Sequence, residues 1–240
     1  MYVTMNAHPL TVIIIVSTLM ITPLYMFATF AFSGASRAKG MRLGVAALVM
    51  GAFMFWVCIG DVPRRAGLPG NLIVPAAWII PSLLLLISRH RVLSEPLSQR
   101  WLIGLQLFRS IGALFLLEMA RGKIPGIFAY PAGVGDVIAA LVALAVLVRF
   151  GRRESIPRRA VALVIIVGVA DLLSAFFFGF FSSETPVQLF FPAVANNVVT
   201  FPTGLIPLFL VLYAIFFHVL SGLNQMMHGE RGSTRDAGAS

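Results

Sequence analysis

The chain has 240 residues, of which 59% are hydrophobic and only 11% are charged, and its mean hydropathy is +0.93. Soluble domains carry about 25% charged residues, so this composition excludes a soluble domain and predicts a chain that lies mostly in the lipid bilayer. The 18 basic residues outnumber nine acidic ones, but they fall mainly in alternate loops rather than along one soluble face. The positive charge therefore does not indicate a nucleic acid partner.

The single cysteine and the N-terminal region argue against disulfide, metal and redox sites and against a signal peptide. Cys58 lies within an apolar run, so the chain has no intrachain disulfide and no cysteine-based metal or redox motif. Residues 1–36 contain no Asp, Glu, Lys or Arg, whereas a secretory signal peptide begins with a basic segment. The first apolar run is therefore interpreted as a membrane span.

Apolar runs of about 20 residues, the length that crosses the hydrocarbon core, recur along the chain. Strand-type alternation is absent, so the pattern predicts an all-α, polytopic transmembrane helical bundle rather than a β-barrel. Seven spans are predicted, at 10–32, 43–60, 72–88, 101–120, 128–150, 160–181 and 198–220. Because no long linker interrupts them, 1–227 is predicted to be a single seven-helix domain, followed by a disordered cytoplasmic tail at 228–240.

The distribution of basic residues between the loops predicts the orientation. Thirteen lie on one side of the predicted spans, and four lie on the other. The first group comprises Arg37, Lys39, Arg42, Arg89, Arg91, Arg100, Arg149, Arg152, Arg153, Arg158, Arg159, Arg231 and Arg235, and the second comprises Arg64, Arg65, Arg121 and Lys123. Basic loops stay in the cytoplasm, so we expect the N-terminus outside and the C-terminus in the cytoplasm.

Four ionisable residues fall within or near the predicted spans. Counting about 1.5 Å per residue from the basic ends puts Arg109 about 12 Å deep, Asp171 about 17 Å and Asp136 about 20 Å. Charges in lipid pair within the bundle, so we expect Arg109 to contact Asp171, with Asp136 slightly above the pair. Glu118 is turned about 180° from Arg109 and precedes Arg121 by three residues, which predicts an interfacial partner of Arg121.

The seventh predicted span adds Asn196 and Thr200, spaced four residues apart on one helical stripe. Together with Arg109, Asp136 and Asp171 they form the predicted polar site, a wet pocket that opens outward. The alternative is that each hydroxyl and amide simply bonds a neighbouring helix.

The start of the fifth span, Tyr130-Pro131-Ala132-Gly133-Val134-Gly135-Asp136, allows two interpretations. An interrupted helix would expose backbone groups where transporters bind solutes. The other interpretation, which we favour, is an ordinary proline kink, because Pro and Gly are common in membrane helices.

No cofactor is predicted from the sequence. Retinal needs a lysine in the last span, whereas Lys39 and Lys123 are both in loops. The sequence contains no His-Glu-x-x-His motif, so it does not predict a zinc site of that kind. His90 and His218 lie near the ends of spans, so haem ligation by both stays an open alternative, although no other feature supports it.

Two groups of segments in the fourth and fifth predicted spans carry a family resemblance. The first is Leu107-Phe108-Arg109 through Gly112 and Phe115-Leu116, and the second is Ile124-Pro125 with Phe128-Ala129-Tyr130-Pro131-Ala132-Gly133-Val134-Gly135-Asp136. They resemble a group of uncharacterised bacterial inner-membrane proteins. The resemblance extends over the last four spans, including Asp171-Leu172 and His218. It implies a bacterial cytoplasmic membrane and no particular activity.

Two functional hypotheses follow from these residues. The first is a carrier for a small solute, coupled to a proton, because Asp136 and Asp171 outnumber Arg109 and leave one acid able to bind a proton or cation. The second is a non-transporting sensor or assembly protein in which the same charges lock the helices together. An intramembrane enzyme ranks third, because no nucleophile and base can be placed together. Neither the solute nor the oligomeric state follows from the sequence.

Overall fold

The computed structural model of the chain describes residues 7–153 and 155–228. Within them no strand occurs, and seven helices are long and apolar enough to cross a membrane. These helices are α1 (Pro9–Ala31), α2 (Arg37–Ile59), α3 (Gly67–Val92), α4 (Gln99–Ala120), α5 (Gly126–Phe150), α6 (Arg158–Phe181) and α7 (Ile206–His228). The prediction of an all-α fold with seven helices long and apolar enough to span a membrane is confirmed for the described residues.

The boundary of the seventh span was predicted wrongly. It begins at Ile206 rather than at 198, and it continues to His228 rather than ending at 220. The side chain of Asn196 accepts a hydrogen bond from the Val198 backbone N–H at 3.2 Å, and this local bond competes with helix formation. Pro202 has no N–H to contribute to a helix. Apart from His228, the predicted tail lies outside the described residues.

Helices α3, α4 and α7 each contain a segment that departs from α-helical geometry. In α3, the first turn, Gly67–Asn71, is followed by a new helical segment at Ile73–Val92. The middle of α4, Leu105–Gly112, is a 3-10 helix, and the first turn of α7, Ile206–Leu210, is a π-helix. Such segments inside longer helices often mark functional positions.

The helix α7 is the most enclosed of the seven. In its apolar 18-residue stretch, 61% of the residues are buried, against 22% in the corresponding stretch of α6. The rings of Phe209 and Phe217 are fully buried. Large apolar side chains of α3, such as Ile80 and Ile87, are instead exposed, as expected of a surface that contacts lipid. The bundle is therefore built around α7.

Glu118, near the end of α4, anchors the start of α1. Its Oε1 accepts hydrogen bonds from the His8 backbone N–H at 3.0 Å and from Thr11 Oγ1 at 2.6 Å. Its Oε2 lies 3.5 Å from Arg121 Nε, so the predicted pairing of Glu118 with Arg121 is confirmed. The carboxylate is fully buried and holds the N-terminal end of α1 against α4.

Candidate functional site

The site is centred on Arg109, which lies in the 3-10 segment of α4. A 3-10 helix has three residues per turn, so residues three apart lie directly above one another. Gln106, Arg109 and Gly112 have this spacing, and all three are buried. The 3-10 segment thus directs one polar edge of α4 into the bundle.

The guanidinium of Arg109 is bonded to both neighbouring helices. Nε donates to Asp136 Oδ1 of α5 at 2.8 Å, and Nη1 donates to the Gly168 carbonyl oxygen of α6 at 3.0 Å. Nη2 donates to Asp171 Oδ2 of α6. The arginine is only 2% exposed, so these three acceptors replace the water that the cation would otherwise need.

The predicted contact between Arg109 and Asp171 is confirmed, and Asp136, which was expected slightly above the pair, contacts the arginine as well. Both carboxylates bind the same guanidinium. The depth estimate assumed a rise of about 1.5 Å per residue, whereas a 3-10 helix rises about 2.0 Å. The segment from Leu105 therefore carries Arg109 about 2 Å further along the bundle, towards Asp136.

Glycines on the adjacent helices make room for this cluster. A Cβ atom at Gly112 of α4 would collide with the carboxyl group of Asp136, and one at Gly135 of α5 would collide with that of Asp171. Any side chain at these two positions would therefore displace a carboxylate from the arginine. Close approach of helix backbones at small residues is the usual packing mode in membranes.

Two further polar side chains adjoin the cluster. His218 of α7 is buried against Gly168, beside Arg109 Nη1, and Gln106 Nε2 donates to the Ala214 carbonyl oxygen at 3.2 Å. Neither residue belongs to the site predicted from the sequence. Gln106 shares a face with Arg109, and this spacing is the signal that could have assigned it. The predicted position of His218, near the end of its span, is wrong because the predicted span ends eight residues too early.

Three buried polar atoms in this region have no hydrogen-bond partner among the described residues. They are Asp171 Oδ1, Gln106 Oε1 and His218 Nε2. Unpaired buried polar atoms are costly, and those found in native structures often mark a functional site. The cluster also has two carboxylates for one guanidinium. It is therefore suited to bind a proton or a small cation.

A cavity of about 60 Å³ adjoins the cluster on the side of Asp136. Its walls are mainly apolar and aromatic, and they include Trp78, Phe115, Phe128 and Phe176. Each enclosed water needs about 10–15 Å³ by this measure, so the cavity holds a few waters or a small solute. Asp136 is part of the wall, whereas Asp171 is not. The cavity thus meets the cluster through one carboxylate.

The predicted members Asn196 and Thr200 do not join the charged residues. Asn196 Nδ2 donates to the Gly179 carbonyl oxygen at 3.1 Å and to Ser182 Oγ at 2.7 Å. Thr200 Oγ1 donates to the Asn197 carbonyl oxygen at 2.7 Å. The helical stripe that would have carried them inward does not exist, because α7 begins later. The Asn196 side chain fastens the segment between α6 and α7 to the end of α6, whereas the Thr200 hydroxyl makes a local bond within that segment.

The segment from Pro131 to Gly135 is continuous helix within α5. The interpretation as an interrupted span is therefore wrong. Of the two histidines considered for haem, His90 is exposed at the end of α3 and His218 is buried. In the described part of the chain, no three His, Cys, Asp or Glu side chains are grouped so as to hold a metal ion.

A protein family model matches the region of the chain that contains this site. A family model described as a domain of unknown function, DUF8737, matches residues 70–223. The chain belongs to this family. The DUF8737 match begins within α3 and ends within α7, and it includes every residue of the charged cluster and of the cavity wall. No curated protein and no solved structure matches the chain.

Proposed function

We propose that this DUF8737 protein is a carrier for a small solute and that solute binding is coupled to a proton or small cation. The observation that carries the proposal is the cavity whose wall includes Asp136, because Asp136 also binds Arg109 at 2.8 Å. A solute in the cavity would contact a member of the buried ion pair. Occupancy and the charge state of the cluster are therefore linked.

The charge balance of the cluster supports coupling to a cation. Arg109 keeps its positive charge at any accessible pH, whereas Asp136 and Asp171 together supply up to two negative charges. An excess charge in the membrane interior is costly, so we expect a proton or small cation to neutralise it. Asp171 Oδ1, which has no partner among the described residues, is the oxygen we assign to this role.

The cavity wall limits the class of solute. Most of the lining side chains are apolar or aromatic, and among the described residues Asp136 supplies the only carboxylate. Apolar pockets with a few polar groups bind mainly apolar ligands and orient them through those groups. The volume of about 60 Å³ is smaller than the engineered cavity of about 150 Å³ that holds benzene. We therefore expect a small, mainly apolar solute with one polar group directed at Asp136.

We further propose that the protein resides in a bacterial cytoplasmic membrane, with its N-terminus outside and its C-terminus in the cytoplasm. The resemblance carried by α4 and α5 supports the location, and the excess of thirteen basic residues over four on the C-terminal side supports the orientation. In this orientation Asn71 and Ser183, which line the cavity, belong to its outer end. The solute would enter from outside.

The alternative, a non-transporting sensor or assembly protein, is favoured by the bonds that Arg109 already makes within the bundle. All three of its nitrogens already have acceptors, and the cavity does not reach Asp171. In that case the cluster would serve only to hold α4, α5 and α6 together.

Proton movement in proteoliposomes distinguishes the two functions even while the solute is unidentified. Purified protein is reconstituted with a pH-sensitive dye inside, and small alcohols, amines, amides and carboxylic acids are added outside one at a time. Protein-free liposomes correct for solutes that carry protons through lipid. A carrier gives proton flux with at least one solute, and Asp136→Asn abolishes it while expression in the membrane stays nearly normal.

A pair of alanine substitutions provides the matched control. Ala175 lines the cavity, whereas Ala170 lies on the exposed side of the same helix, α6. We expect Ala175→Leu to abolish the flux by filling the cavity and Ala170→Leu to preserve it. Flux that survives both Asp136→Asn and Ala175→Leu would contradict the proposal. Absence of proton flux with every solute would exclude a proton as the coupled ion, and if Asp136→Asn were also less stable, the structural role would be favoured.

A further inference from the structure

A second concave surface lies away from the charged cluster, between α2 and α3. It is a groove of about 240 Å³, with Ala46 and Met50 on one side, Leu84 and Ser88 on the other, and Phe216 of α7 among the residues beneath. We call it the α2–α3 groove. Its lining is almost entirely apolar, and the Ser88 hydroxyl is already bonded to the Leu84 carbonyl oxygen at 2.6 Å.

The groove is open to the bilayer. Leu84 is 60% exposed and the adjacent Leu83 is 51% exposed, so lipid surrounds the groove mouth. Its volume exceeds that of the engineered cavity of about 150 Å³ that holds benzene. An empty apolar groove would forfeit dispersion contacts that a hydrocarbon chain supplies. An acyl chain therefore matches both its chemistry and its surroundings.

Basic residues surround one end of the groove. Lys39 and Arg42 precede Leu43 and Ala46 by one helical turn and so lie on the groove side of α2. The Lys39 ammonium donates to Ser94 Oγ, and it therefore reaches across to the end of α3.

The end of α3 adds two more basic residues. Arg89 and Arg91 follow the groove residues Leu85 and Ser88 by four and three positions, and both arginines are exposed. The carboxylate of Glu95 lies at the same end, and it accepts a hydrogen bond from the Ser36 backbone N–H at 2.9 Å. Basic clusters at a membrane surface attract anionic lipid headgroups.

We propose that the α2–α3 groove binds one acyl chain of an anionic diacyl phospholipid, whose phosphate lies among Lys39, Arg42, Arg89 and Arg91. The lipid comes from the leaflet at the arginine-rich end of the bundle. Neither the groove nor these basic residues contribute to the cavity beside Asp136, so the proposal does not depend on the carrier function.

Native mass spectrometry of the purified protein tests the groove. The protein in detergent is mixed with phosphatidylglycerol or with phosphatidylcholine of the same acyl chains, and bound lipid is counted. We expect one phosphatidylglycerol molecule to be retained in preference to phosphatidylcholine. Ala46→Phe fills the groove and should abolish this retention, whereas Ala145→Phe, on the exposed side of α5, should preserve it. Equal retention of both lipids by the unmodified protein would overturn the proposal.

Charge variants test the headgroup site separately. Each basic residue near a membrane surface favours an anionic lipid by about fivefold, so Lys39→Gln with Arg42→Gln should lower phosphatidylglycerol binding by about 25-fold. The control is Arg152→Gln with Arg153→Gln, which removes the same charge from another loop at that end. An equal loss in the control would overturn the assignment. A dimer that Ala46→Phe dissociates, with lipid binding unchanged, would do so as well, because the groove would then hold a second copy of the chain.

Discussion

Arg109 Nε lies 2.8 Å from Asp136 Oδ1, while Nη2 of the same guanidinium bonds Asp171. One cation therefore joins α4 to both α5 and α6. Removing one acid leaves the arginine paired with the other, whereas removing the arginine leaves two neighbouring carboxylates without a counter-charge. The three residues are thus unequal in their effect on stability, although they belong to one network.

We predict that Arg109→Gln lowers the free energy of unfolding in detergent by about 3–5 kcal/mol, the usual cost of leaving buried charge unpaired. Asp171→Asn and Asp136→Asn should each cost less than half as much, because Arg109 keeps one carboxylate in either variant. Reversible unfolding in mixed micelles measures all three. Equal losses would contradict the shared-arginine arrangement.

Combining these substitutions tests the coupling directly. Adding Asp171→Asn to Arg109→Gln removes one of the two unpaired carboxylates, so the double variant should be more stable than Arg109→Gln alone. Adding Asp136→Asn as well should recover still more. Residues in one ion-pair network show non-additive free energies, whereas distant residues add. Simple additivity of the three effects would refute the network.

The close approach of α5 to α6 leads to a second prediction. A Cβ atom at Gly135 would collide with the Asp171 carboxyl group, whereas one at Gly222 of α7 would lie 3.6 Å from Ile165 Cδ1, an ordinary contact. We expect Gly135→Ala to lower the free energy of unfolding by about 1–3 kcal/mol through overpacking. Gly222→Ala should be neutral or stabilising, since alanine is favoured over glycine in helices. Equal effects of the two substitutions would mean that the Gly135 position tolerates a side chain.

Local sequence properties predicted the number of spans and two ion pairs, Arg109 with Asp171 and Glu118 with Arg121, correctly. The length of an apolar run determines whether it can cross the bilayer, so seven spans were visible without tertiary information. The pairing of Arg109 with Asp171 was also predictable, because a permanent cation in lipid needs a counter-charge at similar depth.

The remaining features depend on packing that the sequence pattern does not reveal. The 3-10 geometry of Leu105–Gly112 brings Arg109 to both acids, but nothing in its residues distinguishes it from ordinary helix. Because α7 begins at Ile206, the prediction placed Asn196 and Thr200 in the wrong element. Because α7 continues to His228, the prediction also placed His218 near a span end instead of beside Arg109. The cavity beside Asp136 arises from side chains of five helices, so no single segment predicts it.

A third prediction concerns Glu118, which accepts hydrogen bonds from His8 and Thr11 and is fully buried. Glu118→Ala should lower the free energy of unfolding by about 1–3 kcal/mol, because the buried Thr11 hydroxyl loses its acceptor. Glu184→Ala, which removes an exposed carboxylate between α6 and α7, serves as the control and should leave stability unchanged. Similar stability of both variants would indicate that α1 does not depend on the Glu118 anchor.

The last prediction tests the orientation, which the carrier mechanism requires for entry of solute from outside. By the positive-inside rule, thirteen basic residues against four predict that the loops after α1, α3 and α5 lie in the cytoplasm together with the C-terminal segment. A reporter enzyme that is active only outside the cytoplasm should therefore give signal when fused near Gln188, between α6 and α7, and none when fused after Gly229. A reporter active only in the cytoplasm should give the reverse pattern, which controls for differences in expression. Activity of the external reporter after Gly229 would show that the protein has the opposite orientation in the membrane. The end of the cavity that we assign to the outside would then face the cytoplasm.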